Sequence, residues 1–150
     1  NDEKIAIIIK LRDETPFDGV ILLIKEILET ESHQEVLAAG EKFLNDLKHQ
    51  ALCKEIVKAI DTSENDTVKQ KLISSCWQSG HDYSEHLHHF ITGSITGTYL
   101  SSLECYSVIE QWVHKADTDK RNAWTMQLRK AQSGMDADRY KLTEAIIDLL

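Results

Sequence analysis

Four of the chain's seven histidines fall in one short stretch, Gly80-His81-Asp82-Tyr83-Ser84-Glu85-His86-Leu87-His88-His89. Imidazole and carboxylate groups at helical spacing can share a divalent cation such as zinc. On a continuous helix Glu85 and His89 are four apart and His86 and His89 three apart, so all three would share a face. Against that chemistry, the stretch contains neither an HExxH nor an HxxEH pattern, and Cys76 is the only cysteine close to it in sequence. A solvated, histidine-rich helix face accounts for the same residues. Metal binding through 81–89 is therefore the alternative function, and neither a metal ligand nor a cofactor is assigned.

Other chemistry is weaker still. A nucleophilic serine would need a G-x-S-x-G elbow on a strand-turn-helix, and none is present. Cys76 could pair with His81, or Cys105 with His114, but cysteines at helical core spacing usually act as small buried hydrophobes. Ile91-Thr92-Gly93-Ser94-Ile95-Thr96-Gly97-Thr98 lacks the lysine and the preceding strand of a phosphate loop, and reads as a helix end and turn. No two carboxylates are forced into a shared apolar pocket, so no acid–base pair emerges. The expectation is a protein that is not an enzyme.

The elements that would position these residues are helices. With one proline, six glycines, 41% hydrophobic and 28% charged residues, the 150-residue chain has the balance of one folded domain and little of the turn chemistry of a β-sandwich. Apolar spacing is helical nearly throughout. Ile5, Ile8 and Ile9 mark a first helix ending near Arg12. Thr15-Pro16 reads as an N-cap and first helical position, followed by Phe17, Val20, Ile21, Ile24, Ile27 and Leu28. Leu22 and Leu23 widen that face and predict a helix sandwiched between neighbours. Ser32 and Glu35 form a capping box ahead of Val36, Gly40, Phe43, Leu44 and Leu47. The short link Lys48-His49-Gln50 then leads to Ala51, Leu52, Ile56, Ala59 and Ile60, predicting an antiparallel hairpin. Asn65 or Asp66 caps a helix with Val68, Leu72, Ile73, Cys76 and Trp77, and Gly80 closes it. Its partner carries Tyr83, Leu87, Phe90, Ile91 and Ile95. A third unit begins near Tyr99 with Leu103, Cys105, Val108, Ile109, Trp112 and Val113. Two further helices are predicted over Asn122–Ser133 and Asp138–Leu150, the last with Leu142, Ala145, Ile146, Leu149 and Leu150 on one face. Trp77 and Trp112 are expected in the core, while Tyr99 and Trp124 are unassigned.

The pattern repeats every 32 residues or so. Val36, Val68 and Leu100 come into register, as do Leu44, Cys76 and Val108. Ile56, Ala59 and Ile60 match Leu87, Phe90 and Ile91. Within Glu35–Leu72, the pairs Ala38-Ala39, Asn45-Asp46 and Ala59-Ile60, then Asp61 and Val68-Lys69, resemble the elements of short bacterial HEAT-like repeats. Ser74–Tyr83 resembles a segment of HEAT-like bacterial proteins of unknown function. After Lys115 the period is lost. The resemblance implies an all-α fold, a right-handed α-α superhelix (a HEAT- or armadillo-like solenoid) of about four helical hairpins; the length suits a single domain over 1–150, and a first residue that is Asn leaves room for missing native N-terminal residues. The resemblance also implies that second helices line a concave face that binds a protein or peptide, as such stacks commonly do. In this sequence that face would present Lys54, Glu55, Lys58, Glu85, His86, His88 and His89.

The net charge of −8 has the wrong sign for phosphate neutralisation, and Lys115 to Lys130 reads as a solvated helix face. Nucleic acid is therefore not the expected partner, and HEAT-like DNA glycosylases, with their basic concave face, are a poor match. No apolar run is long enough to span a bilayer and no secretory signal is visible. Three scattered cysteines fit a reducing, cytoplasmic setting. Oligomeric state and the partner's identity are not encoded in any motif.

Overall fold

A computed structural model describes residues 1–150, and the chain is helical throughout, with no strand. The helices are α1 (Asp2–Asp13), α2 (Val20–Thr30), α3 (Gln34–Asn45), α4 (Cys53–Thr62), α5 (Asp66–Gln78), α6 (Leu87–Thr96), α7 (Tyr99–Trp112), α8 (Thr118–Gln132) and α9 (Ala137–Leu149). No helix is long and apolar enough to cross a membrane. The links alternate in kind. Tight connections join α2 to α3, α4 to α5, α6 to α7 and α8 to α9, whereas α3–α4, α5–α6 and α7–α8 are joined through 3-10 turns at Gln50–Leu52, Ser84–His86 and Val113–Lys115.

The helices pack as two compact units, Asn1–His81 and Asp82–Leu150. In the first, α1, α3 and α5 lie side by side, and α2 lies against α4; α2 also packs on α3 and α5, and α4 on α5. In the second, α6 lies against α8 and α7 against α9, with α6 on α7 and α8 on α9. Each unit is thus a layer of odd-numbered helices on a layer of even-numbered ones. Side-chain bonds tie elements 30 to 35 residues apart in sequence, close to one repeat. In the first unit these are Arg12–Asp46, Lys48–Asp13, Ser63–Glu29, Lys71–Glu41 and His81 with the Leu47 carbonyl. In the second they are Lys115–Asp82 and Gln127–Thr92. Such surface bonds each contribute little, and the stability comes from the apolar faces they keep in register.

Those faces are largely the expected ones. Ile24, Val36, Phe43, Leu44, Ile56, Val68, Leu72 and Cys76 are buried in the first unit, and Tyr83, Leu87, Phe90, Ile91, Cys105, Val108 and Ile109 in the second. Asn65 caps α5 by accepting from the Val68 N–H at 3.0 Å, and Gly80 takes the left-handed conformation after α5 with φ +73°. Thr98, Asp117 and Asp136 cap α7, α8 and α9 in the same manner as Asn65.

Five local expectations are corrected. The second helix starts at Val20 and not at Pro16, because Phe17 gains no burial (it is 49% exposed) and Gly19, at φ +93°, turns the chain immediately before the first core residue. Leu22 and Leu23 are exposed and do not widen the buried face of α2, which packs on α3, α4 and α5 through Val20, Ile21, Ile24 and Leu28. The Ser32–Glu35 capping box does not form. Glu31 does that work instead: its Oε1 accepts from the backbone N–H groups of Ser32 and His33 at 2.9 and 3.1 Å, and its Oε2 from Lys4 Nζ at 2.7 Å. The Lys4 ammonium, then His33 and these amides, hold the Glu31 carboxyl well below the usual carboxylate range. In the repeat register, Val36 and Val68 are buried but Leu100 is 55% exposed, its place taken by Ser101 and Ser102. Finally, of the expected α9 face only Ile146 is buried; Leu142, Ala145, Leu149 and Leu150 are half-buried, and Thr143 and Ile147 fill the core beside Ile146.

The last two corrections share a cause. α6 and α7 meet through small residues: a Cβ on Gly97 would lie 2.9 Å from the Gly93 carbonyl oxygen and 3.2 Å from Ser101 Cβ, and one on Gly93 would lie 3.2 Å from Cys105 Sγ. A leucine does not fit this seam, so α7 turns its serines inward. At its end Arg139 of α9 caps α6, Nη1 donating to the Gly97 carbonyl at 2.8 Å and Nη2 to those of Ile95 at 3.0 Å and Ser94 at 3.4 Å. Arg139, Thr143, Ile146 and Ile147 recur at one-turn intervals, so the guanidinium sets the rotation of α9.

Arg139→Ala removes the guanidinium from the Gly97 and Ile95 carbonyls, while Ser94 keeps the Ser102 hydroxyl at 2.8 Å, and is expected to destabilise the protein by about 2 kcal/mol in urea denaturation, the scale of hydrogen bonds to a charged group. Arg139→Lys should not restore the loss, since an ammonium lacks the planar fork. An unchanged midpoint for Arg139→Ala would remove the capping role.

Candidate functional site

The residues expected to bind a partner belong to two groups, one in each unit. On α4, Lys54 and Lys58 are exposed and Glu55 is half-buried, while Ile56, Val57 and Ile60 face the core. Glu55 and Lys58 line an open groove of about 270 Å³ between α2 and α4, whose other walls include Ile21, the exposed Leu22 and Ala59.

In the second unit, Ser84–His86 forms a 3-10 turn and α6 begins only at Leu87. The expected helical spacing of Glu85, His86 and His89 therefore does not hold along one α-helix. The turn is set by Asp82, whose carboxylate accepts from the Ser84 N–H at 2.8 Å. His81 is bonded to the Leu47 carbonyl oxygen in the first unit. His86 packs at the edge of the buried Tyr83 ring, with centroids 6.4 Å apart, and Tyr83 in turn stands edge-on to Phe90. His88 and His89 lie ring against ring at 4.0 Å, with His86 6.2 Å from His89. Nowhere do three histidine, cysteine, aspartate or glutamate side chains converge in a way that could hold a metal ion.

Glu85 and His88 open instead onto a second groove, of about 510 Å³, with Ser84 and Leu87 on one side and Lys115, Ala116, Lys120 and Trp124 on the other. Its far wall belongs to the turn after α7 and to α8. Lys115 Nζ donates to Asp82 Oδ2 at 2.5 Å and stands 5.0 Å over the Trp112 ring, a cation–π arrangement. The Lys115 ammonium, reinforced by the Ser84 hydroxyl and amide, depresses the Asp82 carboxyl from 3.8 to about 2. Trp112 is consequently half-buried between Lys115 and His114 rather than in the core, and Trp77 is also only half-buried.

Lys115, Lys120 and Trp124 were absent from the expected site. No sequence signal pointed to them, since the repeat period is lost after Lys115. Cys53, Cys76 and Cys105 are buried and form no disulfide. No family model, curated protein or solved structure matches this chain.

Because its folded pKa is depressed, Asp82 contributes stability above pH 3.8 that is lost as pH falls towards about 2. Lys115→Gln removes the larger cause and leaves the Ser84 donors. Carboxyl NMR titration should therefore place Asp82 in the variant between about 2 and 3.8, and the acid-side loss of stability should shrink. An Asp82 that titrates identically in both proteins would contradict the pairing.

Proposed function

We propose that this chain is a non-catalytic interaction module that binds a protein or peptide partner across its even-numbered helices. The observation that carries the proposal is the position of the grooves. In each unit, taken alone, an open groove on the even-numbered layer is lined by residues expected at the binding face, Glu55 and Lys58 in one, Glu85 and His88 in the other, whereas the open groove between α1 and α3 on the odd-numbered layer, of about 240 Å³, is lined by none of them. In this reading the alternating links and the bonds one repeat apart belong to a HEAT- or armadillo-like right-handed superhelix of helical hairpins, with the even-numbered helices on its concave side. Buried cysteines without a disulfide suit the cytoplasm as the place of action.

The test is affinity capture from a native lysate with the parent chain and three variants. One replaces Lys54, Glu55 and Lys58 by Ala, a second replaces Glu85 and His88 by Ala, and a control replaces Glu35 and Glu110, exposed on odd-numbered helices. The parent and control should retain the same partner at equal yield, and at least one groove variant should lose it by about tenfold in affinity, equivalent to about 1.4 kcal/mol. Equal capture by all four would refute the even-layer site. Histidines at the groove should also make affinity change between about pH 5.5 and about pH 7.5, where imidazole gains its proton. A flat profile would remove them from the interface. Stoichiometric metal in the eluate, lost when His86 and His89 are replaced by Ala, would favour a metal-dependent role instead.

A further inference from the structure

Resting on that reading, we infer that the groove of the second unit is built for a cationic side chain, the arginine or lysine of a peptide, held by Glu85 and Trp124. The charges lining this groove are unequally committed. Lys115 is engaged twice, by Asp82 at 2.5 Å and by the Trp112 ring at 5.0 Å. Lys120 is only loosely paired, 4.0 Å from Asp117 with both side chains largely exposed. Glu85, exposed at the groove wall, has no cation paired with it.

The aromatic groups show the same imbalance. Trp112 already carries an ammonium over its ring, whereas Trp124, half-buried in the groove, has no cation or ring against it. An indole face attracts guanidinium or ammonium, and Leu87 and Ala116 offer apolar surface to the methylene stem of such a side chain. The net charge of −8 draws cations towards the protein before any contact is made. Lys120 opposes the ligand from the same wall, which gives the inference a test of sign: removing Glu85 should weaken binding and removing Lys120 should strengthen it. An anionic ligand demands the reverse.

The experiment titrates the ¹⁵N-labelled full chain with short acetylated and amidated alanine peptides carrying a central arginine, glutamate or leucine. The readouts are the Trp124 indole N–H and the Glu85 and Lys120 amides. The arginine peptide should shift these signals saturably, and the glutamate and leucine peptides should bind more weakly or not at all. Glu85→Gln should weaken the arginine peptide by about two- to fivefold and Lys120→Gln should tighten it by about twofold, the range of exposed charge pairs. Trp124→Leu, with its fold checked from the remaining amide spectrum, should weaken it further. Preference for the glutamate peptide, with the two charge effects reversed, would overturn the cationic ligand and leave a binding groove standing. Leucine binding as well as arginine would do the same. If no peptide shifts the groove signals, both the cationic ligand and this groove's part in the proposed function fall.

Discussion

The guanidinium of Arg139 stands where α6 runs out of its own hydrogen bonds. The last carbonyls of any helix have no partner within it, and a positive group there also meets the negative end of the helix dipole. One planar fork from α9 donates to Ile95 of the last turn and to Gly97 just beyond it, and adds a longer contact to Ser94, whose carbonyl also accepts from the Ser102 hydroxyl. Beside it glycines and serines let α6 and α7 approach closely, and its grip sets which face of α9 is buried. The other unit solves the opposite problem with the opposite charge. Glu31 accepts the amides of Ser32 and His33 where α3 begins, and Lys4 of α1 neutralises it.

The grooves follow from how the helices pack on one another. A helix in this arrangement touches its chain neighbour through a tight link and a second helix about one repeat away in its own layer. Both contacts are apolar and consume two sides of the helix. What remains between helices of one layer is a valley walled by a mixture of apolar and charged side chains, between α2 and α4 and between α6 and α8 on the even-numbered side and between α1 and α3 on the odd-numbered side. Glu55 and Lys58 occupy one such valley, and Glu85, Lys120 and Trp124 another.

Much of this was legible in the sequence, because helical spacing of large apolar residues is a local signal. Phe43 and Leu44, Leu72 and Cys76, Phe90 and Ile91 all sit in the core as their spacing required. The caps at Asn65 and Gly80 were readable for the same reason. Misreadings arose where a distant partner outbid a local motif. Ser32 and Glu35 have the letters of a capping box, but Glu31 reached the amides first, held by a lysine far earlier in the chain. Leu100 fitted the repeat register, yet the α6–α7 seam has room only for Ser101 and Ser102. Glu85 and His88 could be nominated from one stretch of sequence, but Lys115, Lys120 and Trp124 could not, since they join the groove only through packing.

The central claim is that recognition takes place on the even-numbered layer. Hydrogen exchange of the chain, free and saturated with its captured partner, tests it most directly. The account expects slower exchange on binding at amides of α2, α4, α6 or α8 and around the 3-10 turn at Ser84–His86, with the odd-numbered helices unchanged. Protection confined to α1, α3, α5, α7 and α9 would contradict it.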